Sequence, residues 1–194
     1  MLNDNIRDLM QIIQTVGSVI ACILAFWIPK KIKWEQLYSQ LLSDYCGYDI
    51  GAAIIGIVHF FHLNCSNDIN KIQPAYNELY KQQFDLSVNT NNHFKVSNEQ
   101  NIHLQRRLLV QFYCQLDLCA RSPFIGKKRV QKDFTSKEAN LLKILYYMNE
   151  AASEEPIFMD ITTADRVRKD MTGINLYIAH MYYLLRDSPG YIRQ

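Results

Sequence analysis

Residues 9–29 read LMQIIQTVGSVIACILAFWIP, 21 positions between Asp8 and Lys30 without a charged side chain. As a helix this stretch is about 32 Å long at roughly 1.5 Å per residue, against a hydrocarbon core of about 30 Å. A lone segment can cross lipid only as a helix, because it must satisfy its own backbone hydrogen bonds. Trp27 stands at the C-terminal end, where an indole favours the membrane interface, and Lys30, Lys31 and Lys33 follow. Before the stretch the only side-chain base is Arg7. Lys and Arg collect on the cytoplasmic side of short flanks, so this bias predicts one span with the C-terminal part in the cytoplasm, at the inner membrane.

Three other readings compete. A secretory signal needs a basic start and a small-residue cleavage site, but the start carries Asp4 and Asp8 and no A-x-A pattern follows. Val19-Ile20-Ala21-Cys22 resembles a lipobox, yet the residues after Cys22 are apolar and would make a poor mature start. A buried soluble helix is the third, since Gln11, Gln14 and Thr15 moderate the first half. Within the span Gly17, Ala21 and Ala25 recur every four residues, a spacing that lets two spans approach closely.

The chain has 194 residues, 48% of them hydrophobic, with a formal net charge of +2. That excludes a disordered polar chain and a highly basic nucleic-acid coat. With 7 Gly and 5 Pro there are too few turn residues for an all-β fold. The fold class expected is all-α: residues 1–33 as tail and transmembrane helix, then residues 34–194 as a cytosolic bundle of about five to six helices.

Periodicity places those helices. Trp34, Leu37, Tyr38, Leu41, Leu42 and Tyr45 form one amphipathic stripe that hugs the membrane or continues from the span. Ile50–Leu63, IGAAIIGIVHFFHL, is apolar on all sides and too short for an ordinary span, so it reads as the central buried helix, with a re-entrant or second span as the lesser alternative. Gly51, Ala52, Ala53 and Gly56 would let neighbours pack close. Residues 68–84 read as helix and 85–98 as a long polar loop. Helix resumes over 99–120, and 121–134 reads as a connection. Thr135-Ser136-Lys137-Glu138 has capping-box form and opens a helix to about Ala151. In the last helix Ala164, Val167, Met171, Ile174, Ile178, Met181 and Leu185 step 3, 4, 3, 4, 3, 4, a heptad seam that serves either as bundle core or as a dimerisation face.

Chemistry is sparse. The five cysteines form no C-x-x-C, and their odd number suits reduced thiols. His59, His62, Cys65 and Asp68 are all metal-ligand types, but a strict three-residue step drifts by about 60° per step around a helix, so only His59 and His62 could share a face. No Gly-rich phosphate loop, nucleophile elbow or dinucleotide fingerprint occurs, and no cofactor is expected. The strongest charge segregation is basic. Arg121, Lys127, Lys128, Arg129 and Lys132 are uninterrupted by acid between Asp117 and Asp133, and Arg106 and Arg107 precede them. Anionic lipid or a phosphorylated small ligand suits this set; nucleic acid suits it less, because a net +2 projects little field.

Trp34, Leu41-Leu42-Ser43-Asp44-Tyr45, Asp49-Ile50-Gly51-x-Ala53 leading to Phe60, and Arg106-Arg107 with Phe112 and Leu116 resemble a pattern in short, uncharacterised bacterial single-span proteins, over roughly residues 34–121. Leu108 departs from it, being aliphatic where a polar residue is expected. The resemblance implies bacterial origin and topology and carries over no catalytic residue. Some proteins of this build act as membrane effectors in bacterial defence, an analogy of architecture alone. The sequence thus sets three expectations in order. First is a non-enzymatic membrane-anchored interaction module that meets an anionic partner through its basic patch. Second is a membrane-perturbing effector that forms homo-oligomers on binding an anionic, nucleotide-like signal. Third is a metal-dependent enzyme built on His59 and His62.

Overall fold

The computed structural model describes residues 2–79, 101–134, 137–154 and 161–186, and every element among them is helical. The 85–98 loop, and Thr135 and Ser136 of the capping box, lie outside the described residues. So do the side chains of Ala164, Val167 and Met171.

Helix α1 runs unbroken from Leu2 to Tyr45, so the amphipathic stripe continues directly from the apolar stretch. Pro29 lies inside it. From Met10 to Lys33 every described side chain is exposed; the first to be fully covered are Tyr38 and Leu41. The helix stops at Gly47, whose amide bonds to Asp44 O at 2.9 Å and where a Cβ would come within 3.0 Å of that oxygen. Helix α2, Tyr48–Cys65, follows at once and ends on Ser66 and Asn67, both in the left-handed region. A short 3-10 turn, Ile69–Lys71, leads into α3, residues 72–79. Then come α4 (Ile102–Arg121), α5 (Gly126–Asp133), α6 (Lys137–Glu154) and α7 (Ile161–Arg186).

The centre of the body is α4, which touches α1, α2, α5, α6 and α7. Its Leu109, Tyr113, Leu116 and Cys119 are fully covered. Asn101 caps its start, accepting from the amides of His103 and Leu104 at 3.0 and 3.2 Å. Helices α6 and α7 pair most extensively, through Leu142, Leu145 and Met148 on one side and Ile178, Met181 and Leu185 on the other. An aromatic cluster of Tyr45, Phe112 and Phe134 ties the end of α1 to α4 and to the residue after α5, with ring centroids 5.0–6.0 Å apart.

Two expectations need correction. The Ile50–Leu63 run is not a centrally buried helix. Ile50, Ala53, Ile57 and Phe60 are covered, while Ile55 is 70% and Leu63 61% exposed. Uniform apolarity hid which face would pack, and that role falls to α4. Residues 121–134 are not an irregular connection either, since Gly126–Asp133 is helical. Val130, the covered residue of α5, anchors an otherwise charged helix. Among the described residues two helices are long and apolar enough to cross a membrane, within Ile13–Tyr45 and at Tyr48–Cys65.

Candidate interaction surface

Each residue of the expected anion-binding set has a definite place, and they do not form one patch. Arg106 is only 4% exposed. Its Nε donates to the Tyr76 hydroxyl at 3.0 Å and its Nη1 to Asn149 Oδ1. The Tyr76 hydroxyl in turn lies 3.0 Å from His103 Nδ1. This chain of partners makes sense if the imidazole is neutral and accepts from Tyr76. Burial first, then the charges of Arg106 and Arg107, pull the His103 pKa down from 6.5 to about 4. Arg106 is therefore a positioning residue of the core and is corrected out of the surface set. Arg107, one residue on, is exposed.

Arg121 is also engaged. Its Nε lies 2.8 Å from Asp117 Oδ2 and its guanidinium sits 5.2 Å from the Tyr177 ring. Asp117 is wholly covered and also bonds His180 Nδ1, joining α4 to α7. The acidic residue that bounded the basic stretch in sequence thus neutralises one of its bases.

The remaining bases lie on α5, which runs beside α1 in the same direction. Three contacts fix the register. Phe124, just before α5, packs edge-on against Trp27 with centroids 4.9 Å apart. Arg129 donates to both carboxylate oxygens of Glu35 at 2.8 and 2.7 Å and covers the Tyr38 ring at 5.0 Å. Tyr38 donates its hydroxyl to Asp133 at 2.8 Å. Burial, then this carboxylate, raises the Tyr38 pKa, which keeps the hydroxyl a donor. Lys127, Lys128 and Lys132 are exposed, and among the described residues none of them forms an ion pair. Alongside lies a groove of about 680 Å³ lined by Ile28, Lys31, Ile32, Glu35, Gln36, Ser39, Leu42 and Arg129.

Among the described residues no three His, Cys, Asp or Glu side chains come together as metal donors. His59 and His62 are exposed on the outer side of α2, while Cys65 is buried. The Asn67 amide approaches His62 Nδ1 at 3.2 Å. Gly17, Ala21 and Ala25 are exposed, with nothing within 4 Å of a Cβ placed on Gly17. In the seam, Ile178, Met181 and Leu185 are buried against the body and Ile174 is half-buried. These four positions serve the bundle core. All five cysteines are free thiols, and burial, then the nearby Asp117, lifts Cys114 to about 11.

Sequence reasoning missed the pairing of Phe124 with Trp27 and the two buried polar centres. A signal existed for the latter: Arg106 and Asp117 fall on the same helical stripe as Leu109, Tyr113 and Leu116, where a charge must find a partner. Comparison with family models, curated proteins and solved structures finds no match to this chain.

Proposed function

We propose that this chain is a single-span protein of the inner membrane, with residues 34–194 in the cytoplasm as a non-enzymatic interaction module that meets an anionic partner through basic side chains. The observation that carries the reading is the bare apolar rod of α1: Ile13, Val16, Ile20, Ile23, Phe26 and Trp27 are all about half or more exposed. A soluble monomer does not leave so long an apolar surface to water. Its two hydroxyls are satisfied within the helix, Thr15 and Ser18 donating to the carbonyls of Gln11 and Gln14 at 2.8 Å. For α2 the span reading has less support. It begins only after α1 has run 16 positions past Pro29, to Tyr45. That is about 24 Å further along the axis of α1. Its covered face packs on α4. The basic contact set reduces to Arg107, Lys127, Lys128 and Lys132, together with Lys30, Lys31 and Lys33.

Two measurements test this. The full chain should stay in the membrane pellet after alkaline carbonate washing, and protease added outside spheroplasts should leave its C-terminal part intact. Recovery in the supernatant, or digestion from outside, would falsify the proposal.

The oligomerising effector is supported by a separate observation. At 100° per residue, Gly17, Ala21, Ala25, Ile28, Ile32, Glu35 and Ser39 fall within a sector of roughly 80°. The last four of these line the groove beside α1. One face of a single helix thus carries small residues along the apolar stretch and an open groove beyond it, where α1 of a second copy fits in parallel. Gly17→Leu should abolish self-association in detergent and any growth arrest on overexpression. Unchanged assembly would exclude this face.

A further inference from the structure

The three contacts that set α5 beside α1 also set the height of its lysines. Phe124 is level with Trp27, and Arg129 is level with Glu35. Lys127 and Lys128 stand between Phe124 and Arg129 in sequence, and Lys30, Lys31 and Lys33 stand between Trp27 and Glu35. Two segments far apart in the chain therefore bring five lysines to one level, and only the folded molecule assembles them. All five are exposed and none forms an ion pair among the described residues. Lys30 lies 4.0 Å from the Phe26 ring centroid. At this level the acidic side chain among the contacts, Glu35, is held by Arg129. The elbow below them, Pro123-Phe124, is apolar at its tip and rests on the indole.

We propose that the anionic partner of this surface is the phosphate layer of the bilayer that holds α1, with the elbow between α4 and α5 resting in the headgroups. The proposal rests on the membrane reading above and names the partner it leaves open. An indole at the end of a span marks the interface, so Phe124 beside it lies at the same depth. The lysines just beyond face the headgroup phosphates, whose charge complements theirs. Each base near an anionic surface adds an attraction that falls off within a Debye length. The groove beside α1 opens at Lys31 between Ile28 and Ile32, which gives a headgroup an apolar wall and a cationic rim. The Arg129–Glu35 and Tyr38–Asp133 bonds make the arrangement stiff, since they tie α5 to the anchor on the side away from the elbow. The body then cannot swivel about its span without breaking them.

The test uses the full chain reconstituted in nanodiscs of phosphatidylcholine, with or without phosphatidylglycerol. Amide exchange is followed over residues 124–132. Phosphatidylglycerol should slow exchange there about fivefold, and salt should reverse the effect. The double change Lys127→Glu with Lys128→Glu should remove the protection while leaving the melting temperature within about 2 °C, as surface substitutions do. Equal exchange in both lipids overturns the proposal, and so does protection produced in phosphatidylcholine discs by inorganic phosphate alone, which would point to a soluble ligand. The salt series on the unaltered chain decides the matter even if the variant misfolds. A chain that fails to enter discs at all refutes the membrane reading instead, and the two failures are therefore distinct.

Discussion

His103 and Asp117 carry polar contacts between helices, to Tyr76 on α3 and to His180 on α7. The fold favours a neutral His103, whose pKa is lowered from 6.5 to about 4. The unfolded chain takes up a proton near 6.5 that the folded chain refuses until about 4, so His103 contributes stability above that window and loses it as pH falls through it. The denaturation midpoint should drop between about pH 6.5 and 5, before most carboxylates titrate. His103→Asn keeps an acceptor for Tyr76 and should flatten that drop; an equal drop in the variant would place its origin elsewhere. Asp117 is a covered carboxylate shared by His180 and Arg121. Asp117→Ala should cost about 2–3 kcal/mol in urea unfolding, because the His180 hydrogen bond and the Arg121 ion pair are lost together. Arg121→Ala should cost under about 1 kcal/mol, since its side chain is 47% exposed and water replaces the contact.

At the level of elements, α2 and α4 meet where the sequence provides a gap. A Cβ on Gly56 would run into the Gln105 carboxamide, which is itself covered. Gly56→Ala is expected to destabilise the unaltered chain by about 1 kcal/mol or more, through overpacking. In a Gln105→Ala background the same change should become neutral or stabilising, as alanine regains about 1 kcal/mol of helix propensity. Additive effects in that cycle would mean the two residues do not meet. The sequence made most helices legible because α1, α4, α6 and α7 have apolar residues at helical spacing. It failed where that contrast was missing. Ile50–Leu63 is apolar all round, so its buried face could not be chosen. Gly126–Asp133 is charged nearly throughout, so one covered residue, Val130, left too faint a period to mark a helix. The basic set was legible as composition and not as a surface. Whether Arg106 faced inward depended on Tyr76 and Asn149, which come from other helices.

For the whole molecule, the question is how one helix serves both the apolar rod and the body. The body claims only the last third of α1: Trp34 and Leu37 are half-buried, and Tyr38 and Leu41 are fully covered. Upstream of residue 34 the described side chains are exposed, so they contribute little packing. Phe124 against Trp27 is the exception. Two truncations should therefore behave differently. A chain starting at residue 28 keeps Glu35, Tyr38, Leu41 and Tyr45, and should retain a cooperative thermal transition while moving from pellet to supernatant. A chain starting at residue 46 loses Tyr38 and Leu41, each of which contributes about 2–3 kcal/mol of buried surface. It also loses the Tyr45 hydroxyl that bonds Glu138 at 2.5 Å and the ring between Phe112 and Phe134. Together these exceed a large share of the 5–15 kcal/mol by which domains are stable, so this chain should lose its transition altogether. Circular dichroism melts with fractionation separate the outcomes. If the longer truncation melts as sharply as the shorter, the end of α1 is not part of the core. If the shorter one stays in the pellet, residues 2–27 are not what holds the protein to the membrane.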